Sequence, residues 1–275
     1  MTQPGATIAT LAWWTIRDEY RSRSTGLLLA VCAALIVFLR SCAQGAVVVN
    51  GAALDAATFM AHVAFHGVAA GVLLVAALRG MRLFHRERDD GTCAYLLSRP
   101  LARWHYLAGK VTGLWGAWAA SMLVLHGVLC LMSFFDTHEV LPGYLLASLL
   151  CSVNLLLIVV AALTLSLWLP DFVAFLAILG VGVVSFIGHG IEAVAPLVQA
   201  ALPPAGTQGP PGVTWWQVAW VLWPKLGALQ VTASSLIGRA SFLAGAWVLP
   251  FVNVAVYCAL FAALCSLAFS REDIV

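Results

Sequence analysis

"FHRERDDGTCAYLLSRPLARWHYLAGK", residues 84–110, is where this sequence changes character. It holds Arg86, Arg88, Arg99, Arg103 and Lys110; with Arg79 and Arg82 just ahead, that is half of the 14 lysines and arginines in a chain of 275 residues. Everything around it is written in hydrocarbon. The chain is 62% hydrophobic and 9% charged, with a mean hydropathy of +0.96. A soluble domain carries about 25% charged residues. Apolar runs of roughly 20 residues, enough to cross a bilayer, recur on both sides of the stretch. The composition therefore predicts an all-α polytopic membrane protein, a single transmembrane domain over residues 1–275.

Six spans are predicted, at 25–43, 56–78, 111–134, 143–169, 172–191 and 244–269. The first is the shortest in apolar content, since Gly26 to Leu39 gives 14 residues before Arg40, whose guanidinium would snorkel to a membrane surface. Leu169-Pro170-Asp171 alone separates spans four and five, which suits a tight helical hairpin. Gly67 and Gly71, and again Gly109 and Gly113, have the small-xxx-small spacing that allows helices to approach closely.

Orientation follows from the basic residues. With both termini in the cytoplasm, the inner segments hold Arg17, Arg21, Arg23, Arg79, Arg82, Arg86, Arg88, Arg99, Arg103, Lys110 and Arg271, and the outer ones only Arg40, Lys225 and Arg239. Eleven against three is a positive-inside bias, and it places residues 79–110 in the cytosol. The first 25 residues lack the apolar core of a cleavable signal, because Arg17, Asp18, Glu19, Arg21 and Arg23 interrupt them. Residues 1–24 instead put Ala9, Trp13, Ile16 and Tyr20 on one helical face, which predicts a helix in the cytoplasmic interface; a frayed tail is the alternative. Residues 192–243 form the outer loop. There "ALPPAGTQGPPG" breaks any helix and "VTWWQVAWVLWPK" supplies interface-seeking tryptophans for short interfacial or re-entrant helices.

Within residues 79–110, Glu87, Asp89 and Asp90 lead into Gly91, a helix-ending signal. "TCAYLLS" is long enough for one or two helical turns along the membrane. Ser98 and Pro100 then mark a new helix start, running from Leu101 through Trp104, Tyr106 and Lys110 into span three. A linker that only fixes topology needs the arginines, but not an acidic run, two helix breaks and an apolar patch. The pattern predicts a docking element for another protein; a solvated basic linker that merely fixes topology is the alternative.

The same residues resemble the signature segment of ATP-binding-cassette exporter permeases of the second type, the ABC-2 superfamily. Glu87, Gly91, Thr92, Leu96, Leu97, Ser98, Pro100, Gly109 and Lys110 fill the positions of that segment over about 27 residues. "WPKLGALQ", residues 223–230, is similar to an outer-loop segment in the branch of nitrous-oxide-reductase maturation and gliding-motility permeases, with Trp and Lys where Leu and Asn stand there. The resemblance implies a non-catalytic membrane subunit in a bacterial or archaeal inner membrane. It would work with a second permease copy or paralogue and with cytosolic ATPases that bind the ATP. It also implies that the coupling contact is made by Glu87, Asp89, Asp90, Gly91, Thr92, Leu96, Leu97, Ser98, Arg99 and Pro100. The residues agree on one point: the only Gly-Lys pair, Gly109-Lys110, is followed by Val111 and preceded by Trp104 where a phosphate-wrapping loop needs glycine.

Few polar groups lie inside the spans. His126 and Asn154 are the candidates for a substrate path, with interhelical hydrogen bonding as the other explanation. His62 and His66 are four apart, near Met60, a spacing that suits a metal pair but finds no evident third ligand. The seven cysteines contain no Cys-x-x-Cys pair and read as small apolar fillers. The absence of intramembrane carboxylates speaks against an ion-coupled transporter, no nucleophile–base pair speaks for an enzyme, and nothing points to nucleic acid. An ATP-independent scaffold that recruits cytosolic partners through residues 79–110 is the rival reading.

Overall fold

The computed structural model describes residues 4–42, 47–49, 52–54, 56–98, 102–137, 143–201, 215–237 and 248–271. In chain order the helices are α1 (Pro4–Arg21), α2 (Arg23–Cys42), α3 (Ala56–Asp89), α4 (Thr92–Leu97), α5 (Arg103–Thr137), α6 (Gly143–Leu165), α7 (Asp171–Ala201), α8 (Trp215–Leu222), α9 (Leu226–Ser235) and α10 (Val248–Arg271). A small antiparallel pair, β1 (Val47–Val49) and β2 (Ala52–Leu54), precedes α3 and pairs Val48 with Ala53. Such a pair was not predicted. The rest is the helical membrane protein that the composition requires.

Helices α3, α5, α6, α7 and α10 are each long and apolar enough to cross a bilayer; α1 and α2, which meet at a 66° bend, make a sixth crossing when taken together. The bend falls at Ser22, where the Ser22 amide bonds back to Glu19 O at 3.2 Å and Ser22 O accepts from Thr25 at 3.1 Å. Helix α6 is the centre of the bundle. Its Ala147, Cys151, Leu155, Val159, Ala162 and Leu163 are buried, and α3, α5, α9 and α10 all pack on it.

Three boundaries differ from the predicted ones, each for a physical reason. Helix α3 continues past the span end predicted at residue 78 and stops at Asp89, just before the helix-ending Gly91, because Arg86, Glu87 and Arg88 are good helix formers and no breaker comes earlier. Helix α5 starts at Arg103 rather than Leu101, and its first turn closes through the His105 amide to Ala102 O at 2.9 Å. Helix α7 passes Glu192 and ends at Ala201, taking in the first ten residues of the predicted outer loop. The remainder of that loop holds α8 and α9, both too short to cross. Helix α9 is not interfacial. Leu226, Gly227, Ala228, Leu229, Gln230, Ala233 and Ser234 are buried, and the helix packs against α6 and α7.

Helix α1 also departs from a helix lying free on a surface. It runs alongside the base of α5 in the same direction. A methyl added at Gly109 would lie 2.6 Å from Leu11 Cβ, and one at Gly113 2.6 Å from Thr15 Cβ and 2.7 Å from Ala12 O. Further along, the Tyr20 hydroxyl donates to Ala117 O at 2.8 Å. The spacing Gly109, Gly113 and Gly116 opens a seam in α5 that α1 fills backbone to backbone.

Candidate functional site

The predicted docking segment is a folded corner at the arginine-rich end of the bundle. Gly91 makes it possible. Its φ of +67° is the left-handed conformation that glycine adopts without Cβ strain, and its amide bonds to Arg88 O at 3.0 Å to close the end of α3. The chain reverses at once into α4, whose first bonded turn runs from the Tyr95 amide to Gly91 O at 3.1 Å.

The corner has an inward and an outward side. Glu87 faces inward: its carboxylate accepts from the Tyr106 hydroxyl and from the Lys110 ammonium, both on α5. The Glu87 and Lys110 side chains are only 12% and 10% exposed. Cys93 is buried beneath α4, and burial pushes its thiol pKa up, partly offset by a bond to the Tyr106 hydroxyl. Leu96 packs on the same core. Outward lie Asp89, Asp90, Gly91 and Thr92, all exposed, with the Tyr95 side chain 62% exposed and Ser98 exposed, its Oγ donating to Tyr95 O at 2.8 Å. Arg99 and Pro100 lie outside the described residues, as does the Leu97 side chain.

Every neighbouring element is tied to this corner. Arg79 on α3 grips the buried Glu19 of α1 with two bonds, Nε to Oε2 at 2.9 Å and Nη2 to Oε1 at 3.1 Å. This bidentate geometry is the strong form of the pair. Arg86 reaches Asp18 at 3.0 Å. His85 Nδ1 stands 2.9 Å from Asp171 Oδ1, at the start of α7. Phe84, Tyr106 and Phe269 stack their rings 5.5–6.5 Å apart, joining α3, α5 and α10. Arg103 then donates from Nη1 to Phe269 O at 3.2 Å and to Ser270 O at 2.8 Å, satisfying carbonyls that the end of α10 would otherwise leave bare. Arg79, Arg86, Arg103 and Lys110, four of the eleven residues that the basic-residue count assigns to the inner side, thus meet at one end of the fold. The sequence offered no signal for the ties through Arg103 and Phe269, because they depend on which helices become neighbours.

The two intramembrane candidates sit elsewhere and are both occupied in packing. His126 is fully buried, its Nε2 3.3 Å from Phe65 O and its ring stacked on Phe65 at 4.2 Å. Asn154 is fully buried too and donates from Nδ2 to Leu226 O at 3.0 Å, holding α9 to α6. The structure does not bring the two together. Cys151 Sγ adds a bond to Gln230 Oε1 at 3.1 Å on the same seam. Among the described residues no three of His, Cys, Asp or Glu are placed to hold a metal. His62 and His66 are half-buried, and the Met60 side chain is outside the described residues.

The described residues thus form a multi-pass helical bundle with a braced helix break at its basic end. The family model described as ABC-2 family transporter protein matches residues 9–274. The chain belongs to that family and is a transmembrane component of a transporter; members of the family associate with an ATPase subunit. None of the curated proteins matches the chain.

Proposed function

We propose that this chain is the non-catalytic permease subunit of an ATP-driven exporter in an inner membrane, with its arginine-rich end and both termini in the cytosol. It acts with a second permease copy or paralogue. A separate cytosolic ATPase, which binds the ATP, docks on the outward side of the corner: Asp89, Asp90, Gly91, Thr92, Tyr95 and Ser98. The observation that carries this reading is the split of the corner into a locked interior and an exposed acidic and aromatic face. An exposed tyrosine on a braced helix has the character of an interface anchor, and two adjacent carboxylates supply charge that can steer a basic partner.

Glu87 belongs to this machinery as an internal brace, since Tyr106 and Lys110 already occupy it. The substitution that separates docking from folding is therefore Asp89→Lys with Asp90→Lys and Tyr95→Ala. Asp90 meets Arg86 only at 3.7 Å and in the open, a pair of small energetic weight. The triple variant is expected to insert and melt as wild type does, while the ATPase that co-purifies with the tagged chain falls at least about tenfold, as loss of an anchor plus two steering charges would give. Unchanged capture would sink the assignment of this face. If wild type captures cytosolic protein without nucleotide-hydrolysing activity, the scaffold reading takes its place.

Sidedness has its own test. A Tyr95→Cys variant is expected to react with a membrane-impermeant maleimide in inverted vesicles at least about tenfold faster than Cys93 in the parent chain, since Cys93 is buried and its thiolate disfavoured. Labelling of Tyr95→Cys from outside intact cells would place the corner on the wrong side.

A further inference from the structure

Helix α10 is bonded at both ends, to the corner at its basic end and to the α8–α9 break at the other. At the basic end, Arg103 holds the Phe269 and Ser270 carbonyls, and Phe269 stacks on Phe84 and Tyr106. At the far end, Asn253 Oδ1 accepts the Lys225 amide at 2.9 Å and the Tyr257 hydroxyl donates to Leu222 O. Those two bonds seize the break between α8 and α9. Between the ends α10 packs chiefly on α6, with Thr164 Oγ1 donating to Phe261 O at 3.0 Å.

Asn253, Tyr257, Phe261, Cys265 and Phe269 follow at four-residue steps, so one slowly turning stripe of the helix carries most of these attachments. The stretch from Phe251 to Arg271 contains no glycine and no proline. From Asn253 to Ser270 it spans about 25 Å of unbroken helix. Such a segment transmits displacement, because nothing within it offers a hinge.

We propose that α10 is a connecting rod. It links the corner formed by α3, α4 and α5 to helix α9, with Arg103 as the positioning residue that clamps its basic end and Asn253 the one that clamps the other. Helix α9 is the receiving element because it lies next to the break that α10 grips; its polar ties to α6 and α7 among the described residues are Leu226 O to Asn154, Gln230 to Cys151, and Ser185 bridging Pro224 O at 2.8 Å and the Gly227 amide at 3.1 Å. What the rod carries in a working transporter, movement of a docked motor to the opposite face, rests on the proposed function. The mechanical link does not, and its test needs neither ATPase nor substrate.

The test is hydrogen–deuterium exchange on the full chain in lipid nanodiscs, perturbing one end and reading the other. Arg103→Ala is expected to speed exchange across residues 226–235 at least about threefold, since protection there reports local opening of α9. Arg103→Lys, which keeps a donor for the carbonyls, should show a smaller effect. Arg86→Ala, at the same end but bonded to α1 instead of α10, should leave residues 226–235 at wild-type rates. The rod is overturned if the Arg103→Ala effect stays within residues 103–110 and 265–271, or if Arg86→Ala loosens α9 as much. Should Arg103→Ala fail to accumulate, Asn253→Ala reads the link in reverse. Faster exchange at residues 103–106 supports it and unchanged exchange there refutes it.

Discussion

Lys110→Met is expected to destabilise the protein more than Lys110→Met combined with Glu87→Gln. Glu87 and Lys110 lie about nine-tenths buried and neutralise each other. Removing the ammonium leaves a carboxylate in a poorly hydrated place with only the Tyr106 hydroxyl to stabilise it. Breaking a buried pair from one side costs about 3–5 kcal/mol, whereas replacing both partners with neutral groups of similar volume is often near neutral. Glutamine at 87 keeps a carbonyl oxygen for the Tyr106 hydroxyl, and methionine fills the path of the lysine stem. Thermal melting of the two single variants and the double variant in one detergent checks this as a double-mutant cycle. A double variant at least as unstable as the sum of the singles would mean that the two charges are solvated independently. The cycle also bears on function, because the brace is what would let α4 move as one piece with α3 and α5.

Gly113→Val is expected to be the most disruptive single change along the α1–α5 seam. Its first carbon would stand 2.6 Å from Thr15 Cβ, 2.7 Å from Ala12 O and 3.0 Å from Ala12 Cα. Two of those three atoms are backbone and cannot turn away. Overpacking of this kind costs about 1–3 kcal/mol where side chains can yield. Here α1 itself must shift, and with it Glu19, whose carboxylate is buried against Arg79. The expected result is a clear fall in melting temperature together with proteolytic clipping within residues 4–21. Gly127→Val serves as the control, since nothing lies within 4 Å of a methyl added there. If both variants melt alike, α1 is not seated in that seam.

Much of this architecture was legible beforehand, and what was not has a common cause. Hydrophobic length located the spans, and the acidic run before Gly91 located the helix end, because both are properties of contiguous residues. The brevity of α4 was also readable from the distance between Gly91 and Pro100. The inward turn of Glu87 was not. In the linear chain it is one of three acids in four residues, and only the antiparallel placement of α3 and α5 brings Tyr106 and Lys110 to it. Helix α9 misled for the same reason. "WPKLGALQ" follows three closely spaced tryptophans and resembles an outer-loop segment, yet Asn154, Cys151 and Ser185 on two other helices supply the polar partners that let it sink into the bundle. Asn154 and His126 were named for their rarity in apolar surroundings, and rarity alone does not distinguish a polar group that serves cargo from one that holds a neighbour. The small-xxx-small spacing at Gly109 and Gly113 was visible but did not say which helix would fill it.

Helices α3 and α5, at 34 and 35 residues, are each about 50 Å long, against roughly 30 Å of hydrocarbon. Upright in such a layer, each rod would overhang by something near 20 Å in all. An overhang is a magnifier: a tilt of about 10° at the bilayer edge swings a tip 20 Å away by roughly 3–4 Å, about two residues of helical rise. On the proposed function, membrane thickness would then set the length of that arm. A thicker bilayer swallows part of the arm and shortens the stroke; a thinner one lengthens it.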